Sequence, residues 1–331
     1  NKGIKEVRSR NTMGAIEIEI KFRENLRSPL VTYFLKIDEE EGKPIVLNET
    51  LKYRRGSKGQ PWKFLDFVRG EGEAVINEPD EVNDVKDLKR EKHKLKAPNI
   101  LALKGLAQFE KFPASKSLGN LLENWHISDF HIEAARPERE YGYSEHLSKE
   151  GDNLALVTEY LYNNHPMVFN KILNKLKQRV PGICEVDSKI TEEGRVLLRF
   201  KDGAFEDPFF AKYVSDGTIK MFAYLVLLNE INPHPLLCIE EPENQLYPNL
   251  LYELAEEFRE YSDRGSQVFV TTHSPDFLNA CEINEVFWLK KVNGYSQIVK
   301  ASSNEQVNEY YKLGDKLGYL WRLGVFEGVN P

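Results

Sequence analysis

The chain has 331 residues, 41% hydrophobic and 29% charged, a globular balance that leaves room for one large or two ordinary domains and gives no basis for wholesale disorder. A formal net charge of −7 argues against a generally basic, nucleic-acid-coating surface, while leaving a local basic patch open. Cys184, Cys238 and Cys281 show no CxxC spacing, no apolar run approaches the ~18 residues of a membrane span, and no signal peptide is visible, so a cytoplasmic protein with reduced thiols is expected.

The first part reads as strands. "AIEIEIKF" (15–22) alternates cleanly, and "LVTYFLKI" (30–37), "IVLNETLKYRR" (45–55) and "WKFLDFV" (62–68) follow between Gly, Pro and charge clusters. Such runs predict an antiparallel meander with one solvated face. The charged stretch from Asn83 to Lys96 reads as an exposed helix or linker, with Lys86, Lys89, Arg90 and Lys92 as the rival, DNA-contacting reading. A mostly helical middle contains amphipathic "SLGNLLENW" (117–125) and two helices within 152–180, broken near Pro166. "CEVDSKITEEGRVLLRF" (184–200) reads as a hairpin turning at Glu193 and Gly194. From there helix (216–230), strand (236–240), helix (249–262), strand (267–272), short helix (275–281) and strand (285–289) alternate, the rhythm of a parallel α/β sheet. The expected organisation is therefore an antiparallel β part (1–82), a helical insert (83–182) and an α/β core (183–331).

Three motifs fall in that core. In "YVSDGTIKMFAYLVLL" (213–228), Ser215, Asp216, Gly217 and Thr218 form the cap and first turn of an apolar helix, where free N–H groups and the helix dipole suit a phosphate. Ordinary helices also start this way. In "LLCIEEPENQLYP" (236–248), an apolar strand runs directly into Glu240 and Glu241. One carboxylate there can hold Mg2+ while its neighbour orients or deprotonates a water. The bland alternative is an acidic strand end. In "QVFVTTHSPDFL" (267–278), the next strand ends at His273, able to stabilise developing phosphate charge, although a lone histidine at a strand end is commonly structural.

Taken in order, the three motifs resemble the ATPase heads of the ABC, SMC and RecF type, and more narrowly an AAA-like bacterial group related to the heads of OLD-family nucleases. "VSDGT" is similar to the family's signature, which implies that Ser215, Asp216, Gly217 and Thr218 contact nucleotide held by an opposite subunit. "LLCIEEPE" resembles Walker B, placing Glu240 at the Mg2+-linked position and Glu241 at the catalytic glutamate. "ENQLYP" fills the D-loop, with Asn244, Gln245 and Leu246, and "TTHSP" resembles the switch loop carrying His273. "EHLSKEGDNLALV" (145–157) also resembles a stretch common in the group. The resemblance implies an ABC-type P-loop head using ATP and Mg2+, closing as a homodimer, and switching DNA or an effector such as a nuclease in DNA repair or phage defence.

The phosphate cradle GxxxxGK[ST] does not occur in the sequence. "YRRGSKGQ" (53–60) has the wrong order, and in "EGKP" (41–44) Pro44 stands where Ser or Thr is needed. Asn1 in place of methionine favours a Walker A segment upstream of residue 1, and ATP hydrolysis is expected on that condition. Two alternatives stand beside it. One is a non-catalytic scaffold with an ATPase fold; the other is a Mg2+-dependent nuclease or phosphatase using Glu240, Glu241, Glu243 and His273.

Overall fold

Alternating apolar residues in the first part build a six-stranded sheet whose neighbours are all sequential and antiparallel. Its strands are β1 (Ile16–Phe22), β2 (Val31–Glu40), β3 (Lys43–Tyr53), β4 (Trp62–Val68), β5 (Glu71–Val75) and β6 (Arg90–Lys94). The structure is a computed structural model and describes residues 3–10, 12–25, 27–53, 61–76 and 89–328. "YRRGSKGQ" beyond Tyr53, and Lys86, lie outside the described residues. The described end of the charged stretch is a strand, β6, and not a helix. It has no apolar side chain to bury, and its backbone pairs with β5 in the register Val75↔Arg90 to Glu71↔Lys94.

Two helices, α1 (Ala102–Leu106) and α2 (Pro113–Asn124), share the core of that sheet, with Leu103 and Leu118 packed among Leu51, Phe64 and Leu65. A buried carboxylate fastens the helix start to the strands. Glu49 of β3 accepts the Ala102 and Leu103 N–H groups at 2.7 and 3.0 Å and the Tyr33 hydroxyl at 3.0 Å. Burial pushes its pKa up against these three donors. The first compact unit accordingly runs Asn1–Asn124, and the second Trp125–Pro331. The chain thus divides inside the segment read as a helical insert, because α1 and α2 bury their apolar faces on the first sheet while the later helices belong to another core.

The second unit holds β7 (His126–Ser128), α3 (Ile132–Ala135), β8 (Arg139–Glu140), α4 (Leu154–Asn164), α5 (Pro166–Arg179), β9 (Ile183–Ile190), β10 (Arg195–Asp202) and β11 (Phe209–Phe210). It continues through α6 (Asp216–Leu228), β12 (Leu236–Glu240), α7 (Pro248–Asp263), β13 (Gln267–Thr271), α8 (Pro275–Asn279), β14 (Phe287–Val292), β15 (Tyr295–Lys300), α9 (Glu305–Lys312) and α10 (Leu317–Arg322). The hairpin β9–β10 turns at Gly194, which takes φ 75°. The parallel sheet has the order β13–β12–β7. Its third strand is the tripeptide β7, and β14 pairs antiparallel with β15 in a separate hairpin. The alternating rhythm suggested β14 as a further sheet strand, but Asn293 and Gly294, at φ 50° and 86°, fold it back on β15.

Helix α6 is buried on all sides from Thr218 to Leu228, among α3, α4, α5 and α7. Between α5 and α7, Glu257 (3% exposed) takes Lys175 and Arg179 at 2.5 Å each, so the ion pairs cross a helix interface. No helix among the described residues is long and apolar enough to cross a membrane.

Candidate functional site

The parallel strands β12 and β13 end side by side, and their register puts Glu240 opposite Thr271. Beyond it the Glu241 N–H donates to the Thr271 carbonyl at 2.9 Å, continuing the ladder one residue further. The chain then turns sharply. Glu241 takes φ 40° and Gln245 φ 65°, left-handed conformations that are uncommon for residues with a side chain and are here imposed by the shaped "EEPENQ" loop. The simple alternation of a strand therefore stops at Glu240, which is exposed, while Glu241 is set by the loop.

The loop is held from two sides. The Asn244 side-chain amide donates to Glu241 Oε2 at 2.9 Å, leaving Glu241 Oε1 facing His273 Nε2 at 3.6 Å. Glu243 joins the loop to its neighbour: its Oε1 accepts from the Thr272 hydroxyl at 2.7 Å and the His273 N–H at 2.9 Å. Thr272 Oγ1 accepts in turn from the Ser274 N–H, and Ser274 caps α8 by accepting from the Phe277 N–H. His273 is thus fixed through its backbone while its ring stays 81% exposed.

At the start of α6, Ser215 caps the helix by accepting from the Thr218 N–H, and its hydroxyl meets that of Thr218 at 2.8 Å. Ser215 is exposed and Thr218 buried. The Asp216 carboxylate pairs with Arg136, whose other nitrogen donates to the Ala211 carbonyl at 2.8 Å. Gly217 lies against the loop: a Cβ there would sit 3.0 Å from the Gln245 carbonyl oxygen. The structure thus brings the "SDGT" helix start and the "ENQL" loop into contact, and sets Glu241 and His273 facing each other. Leu246 is buried, and Asn244 and Gln245 are exposed.

Sequence reasoning missed several participants. Lys220, the one charged residue between Gly217 and Leu228 of α6, is 3% exposed. Burial lowers its pKa, opposed by Glu243, Asp129 and Glu241. Asp129, directly after β7, brings a further carboxylate, and burial raises the Tyr224 phenol, with Glu243 and Asp129 adding to it. Glu243 Oε2, Ser128 Oγ and the Tyr224 hydroxyl are buried without a protein hydrogen-bond partner. A lone lysine in an apolar helix was the readable signal; three-residue β7 offered none. Among the described residues, no three of Glu240, Glu241, Glu243 and His273 bring ligand atoms within 4.8 Å of one another.

Acidic and histidine-bearing ends of adjacent parallel strands are thus met by a Gly-containing helix start. The chain belongs to the family described as "AAA domain, putative AbiEii toxin, Type IV TA system", which it matches over residues 1–279. No curated protein matches it. Among solved structures it is similar to an SMC head bound to the C-winged helix domain of ScpA, at 12% identity over 88% of this chain and 76% of that one, with a TM-score of 0.48. The SMC head domain of Thermotoga maritima gives 16% identity, 88% and 77% coverage and a TM-score of 0.42. An SMC ATPase from work on ATP-driven dimerization and DNA-stimulated activation gives 15%, 47% and 96%, and 0.35.

Proposed function

We propose that the chain is the head of an ATP-hydrolysing protein, binding ATP with Mg2+ between two copies of itself in the cytoplasm. The observation that carries this reading is Glu241, tied by backbone to Thr271 and by side chain to Asn244, with its other oxygen facing His273. In the proposed mechanism Glu241 Oε1 accepts the proton of the attacking water, and the Asn244 contact sets the direction of that oxygen. His273 presents its ring to the γ-phosphate, and the Glu243 bond to its N–H holds the loop against recoil. Glu240, exposed at the end of β12, is the carboxylate that would hold Mg2+, which supplies neutralisation of phosphate charge. The fit rests on the exposed Glu240 carboxylate at the strand end and, in the next loop, a buried Glu243 Oε2 without a hydrogen-bond partner.

Ser215, Asp216, Gly217 and Thr218 would face nucleotide held by the second copy. Support comes from the exposed Ser215 and from an aromatic ledge just before it, Phe205, Phe209, Phe210 and Tyr213, exposed by 36–70%. Asn244, Gln245 and Leu246 would relay closure, since Gln245 lies against Gly217. GxxxxGK[ST] is absent from these 331 residues, so the proposal assigns no residue to the cradle of the β- and γ-phosphates. The output proposed is control of DNA or a partner effector, and the family's description as a toxin of a type IV toxin–antitoxin system supports the effector. For DNA, Lys89 and Lys92 are exposed, whereas Arg90 is occupied by Glu73 and the Lys63 carbonyl.

The test is ATP turnover by the protein from its natural source and by its Glu241→Gln form. Turnover should fall by roughly 100-fold or more with ATP binding retained, the pattern of a group acting in the transition state. Full turnover in that form would remove the assignment.

A further inference from the structure

The strand ends that carry Glu240 and His273 have a counterpart at the opposite pole of the same sheet. There α6 ends at Leu228, and the connection to β12 runs "NEINPHP" (229–235), placing Glu230 and His234 four residues apart. The loop before α4 brings His146 to the same point, and β7 begins with His126. Three imidazoles and one carboxylate from three separate stretches of chain converge in the second unit.

We propose that His146, Glu230 and His234 bind a divalent transition-metal ion of the zinc type. His146 Nδ1 lies 2.7 Å from Glu230 Oε2, and His234 Nε2 lies 3.4 Å from the same oxygen. One ligand atom from each residue lies within 4.8 Å of the others. Ligands about 2.0–2.1 Å from a tetrahedral zinc stand about 3.3 Å apart, so a small adjustment of these side chains seats the ion. Two imidazoles and a carboxylate also form a common zinc donor set, with the fourth position open to water.

The surroundings fit a ligand set better than a simple ion pair. Glu230 is 1% exposed, and its Oε1 already accepts the Leu147 N–H at 2.9 Å, which orients Oε2 toward the histidines. One imidazolium would neutralise that carboxylate, yet three rings gather there: His126 stacks on His234 at 4.6 Å and 15°, and His146 lies tilted at 5.1 Å from His234. His126 walls the cluster on one side, and its Nε2 is buried without a hydrogen-bond partner. His146, 40% exposed, leaves a route for the ion to enter. None of these residues belongs to the proposed ATP site, and the inference stands apart from that reading.

The experiment is a Zn2+ titration of the chelator-treated full chain, followed by Co2+ loading and visible absorption. One equivalent should bind, and Co2+ should give the intense bands of a four-coordinate site. His146→Ala and His234→Ala should each weaken Zn2+ by at least the roughly 10–100-fold that losing a supporting contact alone costs. His93→Ala, in exposed β6, should leave binding unchanged. The Co2+ spectrum of the unmodified chain decides the matter even where a variant fails to fold. Absence of stoichiometric uptake, or uptake indifferent to both His146 and His234, would overturn the site.

Discussion

Glu243→Ala should change global stability modestly and local order at His273 strongly. The substitution removes two hydrogen bonds to one carboxylate oxygen, from Thr272 Oγ1 at 2.7 Å and the His273 N–H at 2.9 Å. Bonds to a charged acceptor contribute about 1.5–3 kcal/mol each, and the lower end applies at this half-buried position, so the loss is about 3 kcal/mol. Against it stands Glu243 Oε2, buried without a partner, whose burial costs about 1–3 kcal/mol and is relieved by truncation. The net loss is therefore about 0–2 kcal/mol, or a Tm shift of at most about 8 °C for a unit of roughly 200 residues. The His273 amide, having lost its acceptor, should exchange about tenfold faster, the equivalent of about 1.4 kcal/mol of local protection. Glu243→Gln keeps a neutral acceptor and should fall between the two in both readouts. Calorimetry and amide exchange by mass spectrometry measure both. A Tm loss above about 15 °C, or unchanged exchange at His273, would show that Glu243 does not join the two loops as described.

Glu49→Ala should cost at least about 3 kcal/mol in urea unfolding of the first unit, because the Tyr33 hydroxyl and the Ala102 and Leu103 N–H groups lose their acceptor together. Arg259 holds the Glu285 carboxyl below its usual range through two hydrogen bonds at 2.9 and 2.7 Å. A depressed carboxylate contributes stability above its unfolded pKa and loses it as pH falls through the folded value. The Tm gap between the unmodified chain and Arg259→Gln should therefore be level above pH 4.5 and narrow below it, in a thermal-melt series across acid pH; a gap that widens on acidification would contradict the pairing. Gly318→Ala should destabilise by about 1–3 kcal/mol, since its Cβ would fall 1.9 Å from the Pro275 carbonyl oxygen where α10 meets α8, and chemical denaturation would reveal a smaller loss if that approach were loose.

The strands β1 to β4 were legible because period-two alternation puts Val31, Tyr33 and Leu35 on one buried face. The strands β12 and β13 were legible as apolar runs, together with the helix cap at Ser215. By contrast, "REKHK" of β6 carries no buried side chain and is held by its backbone ladder and exposed ion pairs to β5, and "HIS" of β7 is too short for any periodicity. The Asn293–Gly294 turn was readable and would have separated β14 from the parallel sheet. In the candidate site, the motif glutamates and His273 stood out by spacing. Glu243 as the joining carboxylate, and Lys220 beneath it, depend on which loop a side chain meets, which one-dimensional spacing does not encode.

Strand β13 is paired on one side only among the described residues, and Phe269 at its middle is 58% exposed. A strand presenting free N–H and C=O groups beside an apolar ring is a template on which another extended segment can polymerise. Handling of the isolated chain is therefore governed by colloidal behaviour as much as by folding. Its solubility should fall with concentration before any loss of secondary structure, and a single Phe269→Lys gatekeeper should raise the concentration it tolerates.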